Sequence, residues 1–184
     1  MKRMTTVIVL VMAMFGSVIA QTTQTPDFKN SPMLIKADGS LVKLEKQNSE
    51  IKTKSKNMGY GGTSTFINID GKNSTVRVSA NATFMLKVDA DVDPETVFYI
   101  TPAKEVNKTR EVEMTRVSAY AAYGAKTKSV KKDDISVSFT KVADGVYKIT
   151  PDAPLTPGME YAFVNATQGS SGGQSTVFCF GVDQ

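Results

Sequence analysis

From Met33 onward, apolar and polar residues alternate in short runs, and Asp38-Gly39, Asp70-Gly71 and Asp144-Gly145 cut the runs apart. A repeat of two is that of a strand with one face buried, and Asp-Gly supplies the positive-φ positions of a tight hairpin. On this reading "MLIKADGSLVKLEK" is an N-terminal hairpin, with strands at 49–55, 63–69, 74–80, 83–92, 96–101, 135–142, 146–150, 159–166 and 175–182. Residues 102–134 are charged at both ends. A hairpin turning near Asn107-Lys108 is expected for their first half, and 117–125 suits either a strand or a short helix that Gly124 would stop. Roughly ten short strands at this spacing predict one antiparallel β-sandwich over 33–184.

The residues before that pattern read differently. "MKRMTTVIVLVMAMFGSVIA" (1–20) has a basic start at Lys2 and Arg3, an apolar core from Val7 to Phe15, and small residues at Val18 and Ala20. This is the form of a secretory signal peptide, with cleavage expected before Gln21. The apolar core is shorter than the about 20 residues a membrane span needs, and no later stretch is long enough. "QTTQTPDFKNSP" (21–32) is polar with two prolines and is expected to be a flexible leader, with order from Met33. The signal segment holds two of the 22 basic residues and no acidic one, leaving 20 against 18. So near-neutral a chain gives no electrostatic footprint for nucleic acid.

Histidine is absent and Cys179 is the single cysteine. His-based triads, His-ligated metals and thiolate zinc sites are therefore closed to the sequence, as is an intramolecular disulfide. Within "TVFCFGV", Cys179 reads as a small buried hydrophobe rather than a reactive thiol. Carboxylate chemistry, oxygen-ligated calcium or no chemistry remain.

"PLTPGMEYAF" (154–163) carries the clearest local geometry. Pro157 presets φ, Gly158 tolerates positive φ, Leu155 can plug the core, and Tyr161 opens the next strand. The longer "VYKITPDAPLTPGMEYAFVNA" resembles the corner of fibronectin type III-like domains, through Leu155, Pro157, Gly158 and Tyr161. The resemblance implies an immunoglobulin-like sandwich with a tyrosine corner, in which the phenol hydroxyl bonds an upstream backbone group. The tryptophan usual in such sandwiches is missing. A wider likeness covers most of 33–184. "DGSLVKLEK", "NSTVRV", "TREVEM", "GVYKITPDAPLTPGMEYAF" and a terminal "FCFGVD" resemble a group of uncharacterised exported bacterial proteins that end in Phe-Gly-Val/Ile-Asp. Met159 stands where that group often has Glu, and Glu160 follows one place later. The likeness brings no catalytic or binding residues with it.

Other stretches carry residues suited to chemistry. "DADVDPE" (89–95) offers Asp89, Asp91, Asp93 and Glu95 as calcium ligands, but Pro94 occupies the glycine position of an EF-hand loop and Ile100 its twelfth. Strand alternation instead puts these aspartates on a wet face, and calcium at Asp89, Asp91 and Asp93 stays open. "GYGGTS" (59–64) lacks the ending of a phosphate loop, and "GSSGG" (169–173) is a strand connection. The basic runs Lys52 to Lys56 and Lys126 to Lys132 are read as solvated, with anionic polysaccharide or a membrane surface as the sharper alternative. Tyr60, Tyr120 and Tyr123 are candidates for a sugar platform. Asn73, Asn81, Asn107 and Asn165 begin Asn-x-Ser/Thr sequons, which in a bacterial setting are simply turns.

These readings converge on an exported protein, periplasmic or extracellular, with no cofactor, no metal and no catalytic residue. It is expected to bind an unknown protein or polysaccharide of the cell envelope, through loops or an exposed sheet edge. The alternatives are a carbohydrate-binding accessory domain and, more remotely, a carboxylate-based glycoside hydrolase. The latter needs two carboxyls about 5–10 Å apart across a cleft.

Overall fold

The computed structural model describes residues 24–55, 62–120, 124–129, 133–166 and 173–184, with 117–120 and 124–129 described by their backbone. The expected signal segment 1–20 lies outside the described residues. Alternating, β-branched-rich runs become strands here because they pair with neighbours and, in the inner strands, bury at least one face. Fourteen form among the described residues: β1 (Met33–Ile35), β2 (Leu41–Lys43), β3 (Glu45–Ser55), β4 (Thr63–Asp70), β5 (Arg77–Val78), β6 (Thr83–Lys87), β7 (Phe98–Pro102), β8 (Lys104–Val106), β9 (Thr109–Tyr120), β10 (Gly124–Ser129), β11 (Val137–Ala143), β12 (Val146–Pro151), β13 (Glu160–Asn165) and β14 (Gln174–Val182). The count exceeds the roughly ten expected from spacing because β2, β5 and β8 are only two or three residues long.

Two sheets result, ordered β11-β12-β6-β1-β2 and β10-β9-β4-β3-β14-β13-β7. They form an all-β sandwich. The predicted N-terminal hairpin is present, with Leu34 opposite Val42 across the Asp38-Gly39 turn. Residues 117–120 and 124–129 are strand rather than helix, and the β8–β9 hairpin turns at Asn107, whose φ of 57° suits asparagine. Pairing is antiparallel throughout except for β5, which runs parallel to β14.

The larger sheet also closes on itself. β7 pairs with β13, the chain passes through Ala103, and β8 then pairs with β9. Because β9 already reaches β13 through β4, β3 and β14, these strands complete a ring. The Ala103 N–H donates to the Glu160 carbonyl at 2.8 Å at the junction. Two cores follow from strand alternation. Between the sheets, Phe84 and Leu86 of β6 and Ile149 of β12 meet Phe98, Ile100, Tyr161, Phe163, Phe178 and Phe180. Phe84 stands edge-on to Phe163 at 5.0 Å, and Tyr161 stacks on Phe180 at 5.6 Å, distances at which aromatic pairs attract. The alternate residues of the same strands, Ala162, Val164, Val177 and Cys179, join Ile67, Ile69, Ala103 and Val112 in a second core inside the ring. This is why "EYAFV" and "VFCFGV" are apolar in succession: both faces of β13 and β14 are buried.

Three expectations change. The 83–92 strand ends at Lys87, because the chain turns with Val92 N–H donating to the Asp89 carbonyl at 3.0 Å. Of 74–80, only Arg77 and Val78 pair in a ladder, since that segment overlaps the end of β14 by two residues. The leader is not free over 24–32. Pro26 and Pro32 are buried, Asn30 N–H donates to the Lys87 carbonyl at 2.8 Å, and the Gln24 side chain accepts from Leu41 N–H at 3.2 Å.

Candidate functional site

Arg110 holds the second position of β9, on the face that points into the ring with Val112. Its side chain is fully buried. A guanidinium cannot shed its charge, so it must find acceptors there. It finds four. Nε donates to the Gly71 carbonyl at 3.0 Å, Nη1 to Glu160 at 3.3 Å, and Nη2 to Glu45 at 2.8 Å and to the Asp70 carbonyl at 3.0 Å. Glu160, itself buried, accepts from Ser74 N–H at 2.7 Å and from Arg77 Nη1 at 2.5 Å. Glu45 accepts from Thr75 N–H at 2.8 Å. Arg77 also reaches the Val182 carbonyl and Asp183. Two arginines and three carboxylates thus tie β3, β5, β9, β13 and the C-terminal residues together where the ring closes.

The end of the chain is shaped by this cluster. A Cβ on Gly181 would lie 2.6 Å from Arg77 Cζ and closer still to Arg77 Nη1 and Glu160 Oε1, so the pair occupies the space a side chain would take. Gly158, at φ 77°, makes the turn before β13, and its N–H donates to the Val182 carbonyl at 3.1 Å. Leu155 is buried, and Tyr161 Oη accepts from Thr156 N–H at 3.0 Å. "PLTPGMEYAF" and "FCFGVD" are therefore two halves of one junction. Burial pushes the Glu45 carboxyl up, but hydrogen bonds from Ser74 and Thr75 and the charge of Arg110 outweigh it and hold it below the usual range.

This cluster locks the fold and leaves little for a ligand. Among the described residues Ser49 Oγ is the one buried side-chain polar atom without a hydrogen-bond partner, and it lies elsewhere on β3. Of the cluster's side chains, Arg77, at 36%, and the more exposed Asp183 reach solvent appreciably. Arg77 borders an open depression of about 400 Å³ with Asn73, Gly158, Asp183 and Gln184.

A second concavity of about 90 Å³ lies beside the β7–β8 junction, lined by Phe66, Thr101, Lys104, Glu111, Glu113 and Asp133. It is well below the about 300 Å³ of small-molecule sites. Glu111 is paired with Lys54 at 2.6 Å and Glu113 with Arg116 at 2.7 Å. Burial raises the Glu113 carboxyl, and Arg116 and Ser64 bring it below the ordinary range. An ionised, paired carboxylate does not suit the protonating acid of a glycoside hydrolase.

The residues singled out from sequence do not come together. Asp89 pairs with Lys29, Asp93 accepts from Glu95 N–H at 3.0 Å at the start of a short 3-10 turn (Pro94–Thr96), and Asp91 is exposed. No group of three or more potential metal ligands forms among the described residues. Lys52 and Lys54 pair with Glu50 and Glu111. Asn73, Asn81 and Asn107 are exposed, and Asn165 ends β13. Tyr60, Tyr123, Lys56, Lys131, Lys132 and most of 169–173 lie outside the described residues, while Tyr120, Lys126 and Lys128 are described by backbone alone. Cys179 is fully buried, and burial pushes its thiol up to about 12. Arg110 and Glu45 were not singled out from sequence, and Glu160 and Gly181 entered only through the resembling motifs. Their signal was an arginine and a glutamate on faces that otherwise bury, at "TREVEM" and "EYAFV".

The sheet edges differ from one another. β2 is three residues long, and Gln24 accepts from its Leu41 N–H. β11 shifts register between Lys141 and Ala143, a bulge that interrupts an edge. β10 pairs with β9 in unbroken register over six residues, Gly124 opposite Tyr120 to Ser129 opposite Thr115, and among the described residues no strand pairs with its other side. No helix among the described residues is long and apolar enough to cross a membrane. No protein-family model, curated protein or solved structure matches this chain.

Proposed function

We propose that the chain is an exported, non-catalytic β-sandwich of the cell envelope or extracellular space, and that it binds its partner by strand addition at β10. The observation that carries the reading is the six-residue β10 register with one side unpaired among the described residues. In an antiparallel ladder alternate residues turn their N–H and C=O groups away from the neighbour, so half of β10 offers backbone donors and acceptors to a further strand. Of the other terminal strands, β2 is short and covered, β11 is bulged, and β7 takes a bridge from Ile135 at Ile100 and runs on into β8. Export rests on the signal-like residues 1–20.

The test has two parts. Fractionation with N-terminal sequencing of the secreted chain should find Gln21 first; a cytoplasmic chain retaining Met1 would contradict export. Chain tagged at its C-terminus should then capture a defined envelope component that Lys126→Pro or Thr127→Pro abolishes. Adjacent residues point their N–H groups to opposite sides, so one of the two variants removes an outward donor and spares the β9 ladder. Capture unaffected by both would refute the assignment to β10.

A further inference from the structure

The composition around β10 narrows what can pair with it. By sequence, 115–129 contains Arg116, Lys126 and Lys128 and no Asp or Glu. The neighbouring strand ends, 52–55 of β3 and 63–65 of β4, add Lys52 and Lys54, again without a carboxylate. Carboxylates on β3 and β9 answer these cations: Glu50 for Lys52, Glu111 for Lys54 and Glu113 for Arg116, with Asp133 also acting on Arg116. In the β9–β10 ladder Lys128 stands directly opposite Arg116, so two basic residues share one register position, Arg116 being paired with Glu113.

We infer that the strand added at β10 is an extended segment carrying Asp or Glu at alternate positions, presented by another protein. This rests on the strand-addition reading above and gives it a partner class. Two lysines on an edge strand repel a second copy of the same edge, so the charge that selects an acidic strand also disfavours self-pairing. A neutral strand satisfies the backbone but brings no opposite charge to this basic stretch.

The probes are three fluorescein-labelled octapeptides, alternating Thr with Glu, Gln or Lys, titrated into the purified full chain by fluorescence anisotropy. Amide protection of 124–129 is followed by NMR. Two opposite-charge cross-strand pairs predict that the Glu peptide binds about two- to thirty-fold more tightly than the Gln peptide. That advantage should shrink on going from 50 to 500 mM salt, and the Lys peptide should bind weakest. At equal peptide concentration the Glu peptide should add the most protection in 124–129. Equal binding by all three, with protection in β10, would overturn the acidic preference and leave the strand-addition reading standing. Binding without protection of 124–129, or no binding by any peptide, would overturn both. A concentration-dependent dimer that Lys126→Glu abolishes would also overturn the inference, because the edge would then accept its own copy.

Discussion

Removing Arg110 should expose how much the ring depends on its closing cluster. In Arg110→Met the side-chain volume stays, while four hydrogen bonds disappear from a fully buried site. Glu160 keeps Arg77 and the Ser74 N–H, so its charge remains answered. Glu45 keeps the Thr75 N–H and the Gln47 amide but loses its cation, and the Gly71 and Asp70 carbonyls lose their donor. Breaking a buried pair from one side costs about 3–5 kcal/mol, because the other charge stays behind unpaired. That is a large share of the about 5–15 kcal/mol that holds a domain of this kind folded. With a urea m-value of about 2 kcal/mol/M, the midpoint should fall by about 1.5–2.5 M with the slope unchanged. Removing the orphaned acid as well, in Arg110→Met with Glu45→Leu, should recover part of the loss, since an apolar replacement of a buried pair is often close to neutral. The assay is urea unfolding followed by circular dichroism and tyrosine fluorescence. A loss under about 1 kcal/mol for the single variant, or a double variant as weak as the sum of its parts, would refute the reasoning.

Three further outcomes follow from the same geometry. Gly181→Ala should cost about 1–3 kcal/mol, because the new methyl displaces the Arg77–Glu160 pair in a packed junction; thermal unfolding beside the wild type measures it. The Glu45 carboxyl is held down in the folded protein, so its contribution is present above the unfolded value near 4.5 and is lost as pH falls through the lower folded value. Unfolding free energies from pH 6 to 2 should therefore decline less steeply at the acid end in Glu45→Gln than in wild type. Cys179, buried with its thiol near 12, should resist a disulfide-exchange thiol reagent in buffer and react fully in 6 M guanidinium; rapid reaction in buffer would contradict the packing of the ring core.

The alternation that predicted strands from Met33 onward is a local property, and the local features it governs are present. The Asp38-Gly39 hairpin, the Asn107 turn and the Tyr161 hydroxyl bonded back to Thr156 all lie within a few residues of their signals. Ring closure is not local. It depends on the chain changing neighbours at Ala103, and nothing in the small residue between "FYITP" and "KEV" announces that β7 faces β13 while β8 faces β9. The cluster was hidden for the same reason. Glu45, Arg77, Arg110, Glu160 and Asp183 are scattered along the sequence and meet only once the ring is drawn. The 83–92 strand was read too long because Val88 and Val92 keep the apolar rhythm through a turn. The aspartates attracted notice by composition, and their positions are explained by local duties: Asp89 answers Lys29 and Asp93 starts a 3-10 turn.

Strand addition requires an open side on β10, and residue-resolved amide exchange across 124–129 by NMR reads this directly. With β9 as the single neighbour, slow and fast amides should alternate along β10, three protected by the ladder and three exchanging near the intrinsic rate. Uniform slow exchange over all six residues in the isolated chain would mean that the edge is already covered, and would contradict the proposed mode of binding.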